Sequence, residues 1–127
     1  MKTIIKTFAA PAPIGPYSQA VLAGNFLFVS GQIAINPATG KMVQTSISDE
    51  AKQVMENLKA ILEEAGLGFE NVVKTSIFLM NIADFNAVNE VYGSFFSGDF
   101  PARETVQVAK LPKDANVEIS IVAVKGK

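Results

Sequence analysis

The segment Val117-Glu118-Ile119-Ser120-Ile121-Val122-Ala123-Val124, near the end of the chain, predicts a strand that is buried on both faces. Successive side chains of a strand point to opposite faces of its sheet. One face would carry Val117, Ile119, Ile121 and Ala123, and the other Glu118, Ser120, Val122 and Val124. Because both sets are largely apolar, we expect this strand to be covered on each side.

The rest of the chain is typical of strands alternating with two helices. Predicted strands cover residues 3–8, Gln19–Ala23, Phe26–Ser30, Val72–Met80 and Arg103–Ala109, with turns at Gly24-Asn25 and at residues 36–40. One helix is predicted from near Ser48 to Gly66, and a second begins with Asp84 as its cap. No linker or repeat interrupts residues 1–127, so we expect a single domain.

Two helices can cover only one face of such a sheet. Since βαβ connections share one hand, both helices should pack on the same face of an α+β or α/β sheet. The other face has no cover within the chain, and self-association would bury it at about 25 cal/mol per Å². We therefore predict a homo-oligomer.

The composition excludes several classes of function. The chain has 127 residues, of which 49% are hydrophobic and 18% charged, with a net charge of −1. It has no Cys and no His, which excludes a thiolate nucleophile, a Ser-His-Asp triad and a Cys- or His-ligated metal. The sequence also has no phosphate-binding glycine motif, signal peptide or membrane-length apolar run, so we expect a soluble, cytoplasmic protein without nucleic-acid partners.

Two charged residues in predicted strands are candidates for chemistry. Glu118 interrupts an apolar strand, where an unpaired carboxylate is expensive. Glu118 could have a structural role, in which it reaches solvent or forms a salt bridge. Alternatively, its carboxylate could transfer protons to or from water or a substrate. Arg103 follows a proline-fixed entry to its strand and is either a surface residue paired with Asp99 or Glu104, or a bidentate carboxylate ligand. Thr105 shares the strand face of Arg103 and is either a good strand former or an added hydroxyl.

Other candidates lie in loops and on the second helix. Tyr17 lies in a Gly- and Pro-rich segment and is either a loop anchor or a ligand donor. Ser30 and Gly31 end an apolar strand, where backbone N–H groups either form a turn or face an anion. Asn89 lies one residue off the apolar stripe of the second helix, where a solvated amide is the alternative to a ligand.

Taken together, these residues resemble the Rid (reactive intermediate deaminase, YjgF-type) family, and are similar to its 2-iminobutanoate/2-iminopropanoate deaminases. The resemblance covers nearly the whole chain. The matching segments are APIGPYSQA (12–20), VSGQI (29–33), NPATG (36–40), NLKAIL (57–62), VKT (73–75), DF (84–85), VN (88–89), PAR (101–103), AKLPKD (109–114) and VEI (117–119).

The resemblance implies a chorismate-mutase-like α+β fold with one mixed sheet, assembled as a homotrimer with ligand clefts between subunits. It implies hydrolysis of 2-imino acids or their enamine tautomers to 2-keto acids and ammonia, without a cofactor or a metal. Arg103 would bind the substrate carboxylate and Glu118 would position or deprotonate water. The positions that match cleft-lining residues are Tyr17, Ser30, Gly31 and Asn89, together with Thr105, which replaces the usual Cys.

The chain departs from the family pattern at Glu104, which replaces a small residue and should point away from Arg103. The segment Ser97-Gly98-Asp99 is also shorter than in many relatives. Two other functions stay open, a small-ligand-binding or regulatory trimer and an endoribonuclease, although the absence of His disfavours the latter.

A geometric condition follows from the positions of Arg103 and Glu118. If the last two strands formed a simple hairpin, Glu118 would lie opposite Val108, about 16 Å along the strand from Arg103 at about 3.3 Å per residue. A shared site therefore requires another strand order or a neighbouring subunit.

Overall fold

The structure is a computed structural model that describes residues 2–126. Its six strands form one mixed sheet and its two helices are α1 and α2. The strands are β1 (Lys2–Ile5), β2 (Ala20–Ala23), β3 (Phe26–Gln32), β4 (Val72–Leu79), β5 (Ala102–Gln107) and β6 (Val117–Val124), and the helices are α1 (Ile47–Glu64) and α2 (Phe85–Gly93). The strand order is β1-β2-β3-β6-β4-β5; β4 and β5 are parallel and the other neighbours are antiparallel. This confirms the prediction of an α+β fold with one mixed sheet.

Strand β6 occupies the interior of the sheet, between β3 and β4. Its inward side chains are buried, and the apolar stripe of α1 packs above them. The buried residues of β6 and α1 include Val117, Ile119, Ile121 and Ala123, and Val54, Met55, Leu58, Ile61 and Leu62. The prediction of a strand over 117–124 is therefore confirmed, because its alternating pattern matches the interior position.

The ends of the helices agree with the predictions except at the start of α2. Helix α1 begins one residue before Ser48, capped by Ser46, whose hydroxyl accepts from the Asp49 N–H at 3.0 Å. Asp84 occupies the N-cap position of α2 as predicted, but its side chain makes no capping hydrogen bond. A 3₁₀ turn (Ile82–Asp84) leads into α2, and Asn81 caps that turn instead. Asp84 already has helical backbone angles, so its side chain cannot reach back to a free N–H.

Several strands are shorter than predicted. Strand β1 ends at Ile5 rather than at residue 8, because Thr7 bonds through its N–H and its carbonyl to the side chain of Gln19. Strands β4 and β5 end at Leu79 and Gln107. The hairpin turn at Gly24-Asn25 is confirmed, with Gly24 at φ +60.

Both helices lie on the same face of the sheet, and the face opposite them is uncovered. We call this second surface the open face; its exposed apolar residues are Ile4, Phe26, Phe28 and Val106. The pairs Val21↔Phe28 and Phe28↔Val122 place the side chains of three strands there together. None of the helices within residues 2–126 combines the length and the apolar character needed to cross a bilayer.

Candidate functional site

Four of the predicted site residues line one cavity of about 330 Å³. They are Tyr17, Ser30, Gly31 and Glu118. The loop of residues 11–14 and Pro112 complete its wall, together with Gln19, Gln32, Ile33 and Ile35. We call this the Glu118 cavity.

An irregularity in β3 forms one side of the Glu118 cavity. The β3–β6 register shifts between Val29 and Gln32, so Ser30 and Gly31 have no partner in β6. The backbone N–H of Ser30 donates to the carbonyl of Gln19 at 2.9 Å, and its hydroxyl donates to the carbonyl of Ser18 at 2.6 Å. This bulge holds the hydroxyl oxygen of Ser30 and the bare backbone of Gly31 at the cavity wall.

The carboxylate of Glu118 lies half-buried on the open face. In the sheet, Glu118 of β6 pairs with Phe78 of β4. Within residues 2–126 it forms no hydrogen bond and no ion pair, and burial raises the pKa of the Glu118 carboxyl above its usual value of 4.5. A carboxylate with this environment is a stronger base than an ordinary glutamate.

Arg103 lines a second cavity, with Asn89. Tyr92, Gly93, Phe100 and Pro101 complete its wall, and we call it the Arg103 cavity. Arg103 is the only arginine in the sequence. Its guanidinium carbon lies 5.5 Å from the ring centroid of Phe85 and 5.0 Å from that of Tyr92. The predicted pairing of Arg103 with Asp99 or Glu104 does not occur in the part of the chain that the structure describes.

The two cavities lie on opposite faces of the sheet. Residues that pair across neighbouring strands point to the same face. Arg103 pairs with Thr75, which is fully buried under the helices, whereas Glu118 pairs with Phe78, three positions further along β4. One chain therefore does not bring Arg103 and Glu118 into one site. The last two strands do not form a hairpin, because β4 lies between β5 and β6, but this other strand order still leaves the two side chains on opposite faces.

Thr105 and Glu104 lie where their strand positions predict. Thr105 pairs with Ile77 and shares the helix-covered face with Arg103; its buried hydroxyl has no hydrogen-bond partner in residues 2–126. Glu104 points to the open face, where it bonds to Ser76 and lies 2.9 Å from the Nζ of Lys74. These two contacts hold the pKa of the Glu104 carboxyl below its usual value. Glu104 therefore leaves the charge of Arg103 unneutralised.

Three residues that were not predicted from the sequence hold a cavity wall or the Arg103 side chain in place, namely Gln19, Phe85 and Tyr92. The amide of Gln19, 2% exposed, donates to the carbonyls of Thr7, Ala10 and Pro11 and so ties the loop of the Glu118 cavity to β2. The sequence signal for Gln19 was its position, a polar amide directly before the apolar strand β2. Phe85 and Tyr92 belong to the apolar stripe of α2, and no local signal distinguishes a ring that packs on a guanidinium from a core ring.

Comparison with known proteins identifies the family. The sequence matches the family model described as Endoribonuclease L-PSP over residues 7–125. A solved structure from Yersinia pestis, described as a protein of unknown function of the conserved Rid protein family, superimposes with a TM-score of 0.95 at 46% identity, covering 98% of this chain and 99% of that one. The chain belongs to the Rid family.

Two other Rid-family relatives carry more specific names. The human protein named 2-iminobutanoate/2-iminopropanoate deaminase is 48% identical over 126 residues, which covers 99% of this chain and 92% of the human one. A crystal structure of E. coli TdcF with bound serine matches with a TM-score of 0.94 at 42% identity, covering 98% of this chain and 99% of that one. The predicted Rid resemblance is confirmed, and the human relative is named as an imine deaminase.

Proposed function

We propose that this Rid-family chain hydrolyses small 2-imino acids, or their enamine tautomers, to 2-keto acids and ammonia. The observation that carries the proposal is the half-buried carboxylate of Glu118, which has no partner in residues 2–126 and borders a cavity large enough for a small organic acid. The human relative named as a deaminase of 2-iminobutanoate and 2-iminopropanoate supports the same substrate class.

Arg103 supplies the binding step. Its planar guanidinium can donate two parallel N–H bonds to one carboxylate, a geometry that lysine cannot provide. Within residues 2–126 no carboxylate already occupies it, so its charge is available to a substrate anion. Asn89 and Thr105 add an amide and a hydroxyl near the same group.

Glu118 supplies the proton acceptor. Its carboxylate takes a proton from water while the water oxygen forms a bond to the carbon of the protonated imine, which gives a neutral carbinolamine. The protonated Glu118 then gives its proton to the amine nitrogen. As the C–N bond breaks, Glu118 takes the hydroxyl proton and the C=O bond forms; the departing ammonia takes that proton and leaves as ammonium. The imine carbon is already electrophilic, so one positioned base, worth about 10²–10⁴-fold, and a bound carboxylate are enough for useful catalysis.

Because Arg103 and Glu118 face opposite sides of the sheet, the complete site requires two copies of the chain. We propose a homotrimer in which the open face is covered and the Arg103 cavity of one subunit meets the Glu118 cavity of the next. The open face favours this association, since it carries exposed Ile4, Phe26, Phe28 and Val106. Tyr17, Ser30 and Gly31 then line the cleft opposite Asn89.

The test couples a threonine dehydratase, which releases the imino acid, to keto-acid detection at short times. Wild type should accelerate keto-acid formation, and Arg103→Ala and Glu118→Gln should each abolish the acceleration. When the two inactive variants are unfolded and refolded together, about a quarter of the sites should recover both side chains if the subunits assemble in a ring. No acceleration by wild type would overturn the proposed activity, and no recovery on mixing would overturn the shared site.

The alternative of a non-catalytic small-ligand-binding trimer is favoured by one observation, the serine bound to E. coli TdcF. Glu118→Gln distinguishes the two functions, since a binder would keep its affinity for small carboxylates and an enzyme would lose turnover. The family description also names endoribonuclease. A net charge of −1 and the absence of His argue against RNA cleavage, which a homogeneous preparation can test directly.

A further inference from the structure

The environment of Arg103 is aromatic rather than acidic. The two ion pairs within residues 2–126, Lys74–Glu104 and Lys110–Asp114, are both formed by lysines. The guanidinium of Arg103 instead lies over two rings, at 5.5 Å from the centroid of Phe85 and 5.0 Å from that of Tyr92. Both distances are within the range of a cation–π contact.

The ring of Tyr92 is itself held in place. Tyr92 is 5% exposed, and its hydroxyl donates to the hydroxyl oxygen of Thr75 at 3.0 Å. Thr75 is fully buried and is the register partner of Arg103 on β4. The strand beside Arg103 therefore anchors the ring that contacts its guanidinium, and Phe85, in the first turn of α2, contacts the guanidinium as well.

A carboxylate partner and an aromatic partner have different consequences for a binding arginine. A carboxylate would neutralise the guanidinium and occupy the N–H groups that an anionic ligand needs. A ring face attracts the cation without accepting its N–H groups in this way, so the charge and the donors stay available. Burial raises the pKa of the Tyr92 hydroxyl, against the smaller lowering effects of Thr75 and Arg103, so this ring stays neutral at physiological pH.

We propose that Phe85 and Tyr92 are positioning residues, which hold the guanidinium of Arg103 in place for a small carboxylate without neutralising it. The inference rests on the proposed carboxylate-binding role of Arg103. It assigns a role in ligand affinity to two aromatic residues of the α2 stripe, whereas a purely structural role would affect stability alone.

The test compares Phe85→Leu and Tyr92→Leu with the matched control Tyr92→Phe, which keeps the ring and loses the hydroxyl. Loss of one ring should raise KM for the imino acid, and the Kd for pyruvate, by about 2- to 30-fold with a smaller change in kcat. Tyr92→Phe should raise KM less than Tyr92→Leu does, because the ring face is retained and only its hydrogen bond to Thr75 is lost. Phe85 is 36% exposed, so Phe85→Leu keeps the test available if Tyr92→Leu fails to fold.

A double-mutant cycle tests whether the rings act through Arg103. In the Arg103→Ala background, Phe85→Leu should have no further effect on the Kd for pyruvate. An equal effect of Phe85→Leu with and without Arg103 would overturn the proposal, because the ring would then act independently of the guanidinium.

A readout without turnover separates this proposal from the proposed function. Because Arg103 is the only arginine, its Nε–Hε group gives a single arginine signal in NMR spectra. We expect an ordered Nε in wild type, and a more mobile Nε in Phe85→Leu and Tyr92→Leu than in Tyr92→Phe. If wild type has no deaminase activity but shows this pattern, the proposed function fails and the positioning stands. If the ring variants leave the Nε order and the Kd unchanged, the positioning is wrong whatever the activity.

Discussion

The carboxyl group of Glu118 fills the space in which a side chain at residue 31 would begin. An ideal Cβ built on Gly31 would lie 2.8 Å from the carboxyl carbon of Glu118, closer than real Cβ atoms approach their neighbours. Gly31 has an ordinary negative backbone angle, so the need for glycine here is steric and not conformational. The bulge in β3 and the strand β6 thus fit together only where residue 31 has no side chain.

Gly31→Ala should move the Glu118 carboxylate and reduce deaminase activity. Because the clashing atoms are the far end of a flexible side chain, the fold should be retained while kcat falls toward that of Glu118→Gln, by about 10²-fold or more. Gly68→Ala is a matched control, since its Cβ would approach the carboxyl carbon of Glu70 at 3.0 Å, away from both cavities. Unchanged kcat in Gly31→Ala, with circular dichroism equal to wild type, would contradict the role of Glu118.

Glu118→Gln should lose activity without losing stability. Burial raises the folded-state pKa of Glu118 above 4.5, so between the unfolded and folded values the native state binds more protons and stability falls as pH rises. Glutamine removes that decline, so the Tm of Glu118→Gln should equal or exceed that of wild type at pH 7, and the difference should shrink as pH falls toward 4.5. Thermal unfolding of both proteins over this pH range is the measurement, and a variant that is less stable than wild type at pH 7 would contradict the prediction.

The raised pKa of the Glu118 carboxyl also predicts how the rate of the proposed reaction depends on pH. If Glu118 is the base, kcat/KM of wild type should rise with pH through a pKa higher than that of an ordinary glutamate. The rise should be absent from the residual activity of Glu118→Gln. A profile that is flat from acid to neutral pH would assign proton transfer to another group.

Glu50→Ala should destabilise the fold by about 1–3 kcal/mol or more, because it leaves buried donors unpaired. Glu50 is 1% exposed, and its carboxylate accepts from the backbone N–H of Asn116 at 2.7 Å and from its side-chain amide at 2.8 Å. These bonds tie α1 to the turn that leads from Pro112 at the Glu118 cavity into β6. Urea unfolding measures the loss, and Glu56→Ala, at an exposed position of the same helix, should change stability by less than about 0.5 kcal/mol.

Phe28→Glu should weaken the proposed assembly. Phe28 is 48% exposed on the open face. Its ring stacks with that of Phe26, with 6.3 Å between the ring centroids. An unpaired carboxylate buried there on association should reduce affinity between subunits by about 100-fold or more, and activity should fall with it. Sedimentation velocity is the measurement. Ser48→Glu, which adds the same charge on an exposed part of α1, should assemble as wild type does, and equal assembly of both variants would place the interface elsewhere.

Elements with strong local patterns were predicted well, and their contacts less so. Helix α1 matches its prediction to one residue because its apolar spacing and its Gly66 stop, at φ +76, are local signals. The end of β1 was wrong because it depends on a distant partner, the Gln19 side chain that bonds to the segment after β1. The rings beneath Arg103 were missed for the same reason, since helical periodicity alone does not show what a stripe of aromatic residues packs against.

By itself, the sequence determined the α+β class, the surplus of apolar residues on the last strand, and the residue types available for chemistry, since these depend only on periodicity and composition. The family resemblance added roles for the candidate residues. Only the tertiary structure decided that Arg103 and Glu118 face opposite sides of the sheet. That separation arises from the register of the strands, since Arg103 pairs with Thr75 and Glu118 with Phe78, an odd number of positions away on β4. Strand order and register are set by long-range burial that no local pattern records.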